Sequence, residues 1–154
     1  MTELNMDDMV VKVLQNSEND CIIVDKVFCS CQQRKCFPNI EVELEDKFYK
    51  KIKFKPGFIV PDTLIITDIE NRPNFKRLRF TLRIPYEIIT KCGTKIEKFL
   101  PDILKDIIVF MPDTRDEFEF NIVVETSSSI LGKPIKTGNI LSFAVGTFII
   151  VKVV

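Results

Sequence analysis

The chain has 154 residues, 45% of them hydrophobic and 29% charged, with 22 basic residues balanced by 22 acidic ones. That length supports one domain with a substantial core, and the balanced charge gives no electrostatic drive toward nucleic acid or an anionic membrane. Histidine is absent altogether, which removes the commonest general acid/base and metal ligand and excludes any imidazole-based triad; neither catalysis nor a bound cofactor or metal is expected.

The N-terminal stretch MTELNMDDMVVKVLQ carries acids where a secretory signal needs a basic region, and its apolar run is short. No stretch approaches the length of a membrane span. Synthesis in a cytosol is expected, with no membrane insertion. Met9, Val11 and Val13 alternate with other residues, so residues 1–17 read as an arm that adds a strand, either to a neighbouring copy or to its own domain. The rest, 18–154, reads as a single domain.

Its dominant period is two. Cys21 to Phe28 reads as a continuous buried strand, and Ile40, Val42 and Leu44 as a strand with Glu41, Glu43 and Glu45 facing out. Lys51 to Phe54 continues the alternation, and Thr63 to Asp68 reads as buried. Leu78, Phe80, Leu82 and Ile84 alternate with Arg77, Arg79, Thr81 and Arg83. Phe99 to Lys105, with Pro101 near a first turn, is the one candidate short helix. Ile107 to Met111 follows as a buried strand. Phe118, Phe120, Ile122 and Val124 alternate with Glu117, Glu119, Asn121 and Glu125, and Leu141 to Val153 is a long apolar strand. Turn signals stand at Pro56-Gly57, Pro61-Asp62, Asn71 to Asn74, Cys92-Gly93, Pro112-Asp113, Gly132 to Pro134 and Gly138-Asn139. The sum is an all-β fold, a β-sandwich or jelly roll of about eight or nine mainly antiparallel strands. The apolar ending requires a last strand that is central or covered.

Two features bear on function. Arg77, Arg79 and Arg83 line the outer face of one strand, and Glu117, Glu119 and Glu125 that of another. They either pair within one sheet or form complementary patches on different subunits. Four of the five cysteines fall in CIIVDKVFCSCQQRKCF. Zinc ligation by Cys21, Cys29, Cys31 and Cys36 fits common ligand spacings only in its last interval. A redox centre needs C-x-x-C opening a helix, and this is C-x-C in a β chain. Cys21 and Cys92 suit buried inert thiols, whereas Cys29, Cys31 and Cys36 lie in a polar, exposed-looking stretch. An odd count leaves at least one thiol unpaired within the chain, which favours bonds between subunits made after synthesis, in an oxidising place.

The cysteine run, followed by FKPGFIVPDTLIITDI, RLRFTLRIPYEI, FLPDILKDIIVFMPDTRDEFEFNIVVET and GNILSFAVGTFIIVKV, resembles the SPOCS-type domain proteins of spore-forming Firmicutes, over roughly residues 20–154. The resemblance implies a β-rich domain at work in the spore envelope or on the spore surface. On this reading the chain is a structural protein that self-assembles into a fibre or lattice, with itself and other envelope proteins as partners and cross-links among its cysteines. The alternative is a non-polymerising adaptor that recruits a coat protein or glycan through an exposed loop, Asn71 to Asn74 or Ser127 to Lys136.

Overall fold

The computed structural model describes residues 29–45, 47–112 and 120–154, and every regular element among them is a β-strand. The strands are β1 (Cys29–Glu43), β2 (Tyr49–Phe54), β3 (Phe58–Ile59), β4 (Ile65–Asp68), β5 (Phe75–Arg83), β6 (Pro85–Thr90), β7 (Lys95–Phe99), β8 (Ile103–Phe110), β9 (Ile122–Thr137) and β10 (Ile140–Val153). The fold is the expected antiparallel β-sandwich. No helix among the described residues is long and apolar enough to cross a membrane.

One layer has the order β1-β10-β9. The other is built by three long passes of chain, each bent at a proline. β2 runs through Pro56 into β3, β5 through Pro85 into β6, and β7 through Pro101 into β8. On one side of the bend the order is β2-β6-β7; on the other, β3 and β4 share one edge of β5 and β8 takes the opposite edge. The three prolines thus stand together across the layer. Proline donates no ladder hydrogen bond, and the flanking residues knit the corner: Lys55 N–H donates to the Pro85 carbonyl and Leu100 N–H to that of Ile84, both at 2.9 Å. This is why no helix forms over Phe99 to Lys105. Leu100 is tied into the corner, and beyond it Ile103, Ile107 and Val109 point in while Leu104, Asp106 and Ile108 point out, a period of two.

The core is two facing files of side chains. Leu78, Phe80, Leu82, Ile84, Tyr86, Ile88 and Thr90 are buried along β5–β6, unbroken across the corner. Leu141, Phe143, Val145, Thr147, Ile149, Val151 and Val153 are buried along β10, the central strand of its sheet. The files meet directly, with the Tyr86 and Phe143 rings edge to face at 5.9 Å. Each buried aliphatic or aromatic side chain contributes roughly 1.5–3 kcal/mol. Two expectations of continuous burial fail: Leu64, Ile65 and Ile66 are exposed because β4 is an edge strand, and Ile108 and Phe110 face out from β8. Gly132 to Pro134 is a bulge within β9 rather than a turn, opposite Phe143 in the register shift between Ser142 and Ala144.

Gly57 locks the corner to the other layer. Its N–H donates to Thr126 Oγ1 of β9 at 2.7 Å. A Cβ there would lie 2.9 Å from Thr126 Cγ2 and 3.0 Å from Ile84 Cγ1. Gly57→Ala should therefore overpack the corner and cost about 1–3 kcal/mol, read as a lower urea midpoint at unchanged slope. Gly146→Ala should cost less, since the new methyl meets only the flexible side chain of Leu131, at 3.2 Å. Equal midpoints for the two variants would contradict the corner contact.

Candidate assembly surfaces

β1 carries three of the four described cysteines. The polar, exposed-looking stretch is a regular strand, paired residue by residue with β10 from Cys29↔Val153 to Phe37↔Val145. It reads as polar because only its ends touch the core. Cys29 and Cys31 face inward with their partners Val153 and Val151, half-buried against the apolar cluster. Cys36, five residues on from Cys31, faces outward opposite Gly146 and is exposed. The C-x-C pair and Cys36 thus lie on opposite faces of one strand and cannot converge on a single ion. Between Cys29 and Cys31 the strand rises about 6.6 Å, the upper limit for a disulfide, and all four described cysteines are free thiols. Burial, helped by the neighbouring Cys29, holds the Cys31 thiol above its ordinary pKa, so it is the less reactive kind.

Cys92 differs from the inert buried thiol expected of it. It sits exposed in the turn joining β6 to β7. Thr90 Oγ1 lies 3.1 Å and Thr94 Oγ1 3.4 Å from its sulfur. These hydroxyls, Thr90 foremost, stabilise the thiolate and bring its pKa down to about 7, with a smaller contribution from the charge of Lys47. Cys21 lies outside the described residues, as do Met9, Val11 and Val13 of the arm, and Glu117 and Glu119.

The two charged strands are not neighbours. The arginine strand β5 is flanked by β3, β4 and β8, and β9, which carries Glu125, pairs with β10. Each finds opposite charge locally instead. Arg83 forms a bidentate pair with Asp102, both bonds at 2.9 Å. Arg77 does the same with Asp106, its Nε donating at 2.7 Å. Glu125 accepts from Lys152 Nζ at 2.9 Å. Hydrogen bonds from Arg77 and Arg83 hold the Asp106 and Asp102 carboxyls below the usual carboxylate range, and Arg79 adds a lesser lowering influence on Asp106. Arg77 and Arg83 are therefore committed within the chain, and as solvent-exposed pairs they add little to stability.

What the sequence hid is the length of β9. Ser127 to Lys136, the candidate binding loop, is strand throughout. Three serines in a row mask its alternation, because Ser128 points inward and satisfies its hydroxyl on Thr147 of β10 at 3.0 Å. Asn71 to Asn74, the other candidate loop, is indeed the connection between β4 and β5. β1 and β9 are the two edges of one sheet, and their outward residues form rows across β10: Gln32–Ile150–Glu125, Arg34–Phe148–Ser127 and Cys36–Gly146–Ser129. Gly146 leaves a shallow hollow of about 520 Å³ between these edges, with Arg34 and Cys36 on one rim and Ser127, Ser129 and Leu131 on the other. The Arg34 guanidinium stands 5.9 Å from the Phe148 ring centroid.

Peptide-resolved alkylation checks the Cys92 environment. Its rate with iodoacetamide should rise with pH about a midpoint near 7, and Thr90→Val should move that midpoint upward by removing the foremost thiolate hydrogen bond. A midpoint unmoved by Thr90→Val would contradict the assignment.

Comparison of the chain with protein-family models, with curated proteins and with solved structures finds no match to any of them.

Proposed function

We propose that this chain is a structural subunit that polymerises through the two edges of its three-stranded sheet, and that it does so in a spore envelope, the setting its sequence resemblance implies. One observation carries the polymer reading. β1 and β9 flank β10 on opposite sides, and neither has a second strand partner among the described residues. Unpaired edges invite pairing with another chain, and proteins that stay apart blunt them with prolines, bulges or inward charges. Here β1 is regular from Cys29 to Phe37, with Pro38 and a register shift only beyond, and β9 is regular from Ile122 to Leu131, with its bulge only beyond. The two regular stretches lie against the same part of β10.

Both edges run antiparallel to β10 and hence parallel to each other. A copy displaced sideways by three strands, about 14 Å, brings β9 of one subunit against β1 of the next. Such a contact is heterologous and does not close, so it gives an open polymer. Pairing β1 with β1 would crowd Arg34 and Lys35 of two copies, whereas the sideways stack sets Arg34 of one copy beside Ser127 and diagonal to Glu125 of the other. Cys36 at the joint and Cys92 away from it remain exposed for cross-linking between copies. The proposed role is structural rather than catalytic.

The test is electron microscopy of the purified protein after air oxidation, with and without reductant, beside a non-reducing gel. Ordered fibres or sheets with reductant-sensitive ladders are expected; monomers in both conditions would overturn the polymer and favour an adaptor. Within the polymer, Ser127→Lys should weaken each joint by about 0.2–1 kcal/mol through like charge beside Arg34, raising the critical concentration up to about five-fold. Arg34→Glu in the same chain should restore it. Assembly indifferent to both changes would show that these edges are not the joint.

A further inference from the structure

One end of the sandwich has a character that assembly through the edges leaves unused. The segment after β1, the β6–β7 turn and the β9–β10 turn meet there around a recess of about 620 Å³ lined by Phe48, Tyr49, Lys50, Lys91, Lys136 and Gly138. Backbone hydrogen bonds fix the three segments to one another. Leu44 N–H donates to the Asn139 carbonyl at 2.7 Å, Lys47 N–H to Leu44 at 3.0 Å, and Lys91 N–H to Phe48 at 2.9 Å. The recess is therefore a framed feature and not a loose loop.

Its chemistry is one-sided. Three ammonium groups line it, and among the described residues no carboxylate does. Lys136 Nζ lies 3.8 Å from the Phe48 ring centroid and Lys91 Nζ 5.8 Å from the same ring, so two cations are gathered on one aromatic side chain that is itself 59% exposed. Lys136 reaches this mouth from the inward face of β9, where it pairs with buried Leu141. None of Lys50, Lys91 and Lys136 forms an ion pair with a described residue, whereas Lys55, Lys76, Arg77, Arg83 and Lys152 all do. Two lysines share one exposed ring and a third lines the same recess, with no counter-charge among the described residues, and such a cluster sets up a positive local field suited to an anion.

We infer that the Phe48 recess is a binding site for a multivalent oxyanion, a ligand with two or more carboxylate or phosphate groups held by Lys50, Lys91 and Lys136. The ammonium groups project from different chain segments, so a ligand with several charges engages more of them than a monovalent one does. Lys, as a compact point charge with three rotatable donors, accepts carboxylate and phosphate alike.

Calorimetric titration at low salt with inorganic tripolyphosphate, citrate and acetate tests this and separates the two chemistries. Saturable one-to-one binding of tripolyphosphate or citrate is expected, whichever binds tighter identifying the preferred group, with acetate much weaker. Lys91→Met with Lys136→Met should lower the affinity on the order of ten-fold, and Lys53→Met, an exposed lysine on β2 away from the recess, should leave it unchanged. In the unaltered protein, ligand-induced amide shifts should centre on Phe48 to Lys50, Lys91 and Lys136 to Gly138. No binding by either multivalent anion, or binding insensitive to the paired substitution with shifts elsewhere, would overturn the site. Because the recess lies apart from the β1 and β9 stretches proposed as the joint, it stands or falls independently of assembly.

Discussion

Everything in this structure rests on the meeting of two files of alternating side chains, one along β5–β6 and one along β10. Each places seven consecutive inward positions in the core. The first file keeps its alternation through Pro85 because the chain bends there without a bulge, so Ile84 and Tyr86 both remain inside. A bulge would have moved every later side chain to the other face. The aligned prolines let three neighbouring passes turn together, and the two hydrogen bonds on either side of Pro85 hold the turn in register. Gly57 then binds this corner to β9.

That arrangement has a cost at the periphery. A layer of three strands has one central strand and two edges, and here the edges are long: β1 has 15 residues and β9 has 16. Half of their backbone polar groups face away from β10, and such groups are either solvated or paired with another chain. In the proposed polymer the same contact, repeated, satisfies both edges. Of the charged residues that suggest a joint in the sequence, Arg77, Arg83 and Glu125 are instead drawn into pairs within the chain, with Asp106, Asp102 and Lys152.

Much of the fold was legible in the residues, for a physical reason: where one face of a strand is buried and the other wet, the sequence has to alternate. Leu78 to Ile84 and Ile40 to Leu44 behave that way, and both are strands with the expected inward faces. The alternation fails as a guide where burial is not by apolar groups. Ser128 and Thr147 satisfy each other inside the sandwich, and so the middle of β9 looked like a loop. It fails again at an edge, where Ile65 and Ile66 are apolar yet exposed. Proline is ambiguous as well: Pro101 signals a helix start as readily as a strand corner, and only the neighbouring Pro56 and Pro85 passes decide between them. The cysteines were legible as a cluster but not as two faces of one strand. The Phe48 recess joins residues far apart in sequence, and no local pattern marks it.

The central claim is that copies join through β1 and β9, and backbone hydrogen exchange measures that contact directly. Compared between dilute, reduced protein and the assembled form, amides within 29–37 and 122–131 should gain protection together. Those of β10, already paired on both sides, and those of the β4 edge should not change. Assembled protein whose β1 and β9 edges exchange as fast as in the dispersed chain would contradict the account.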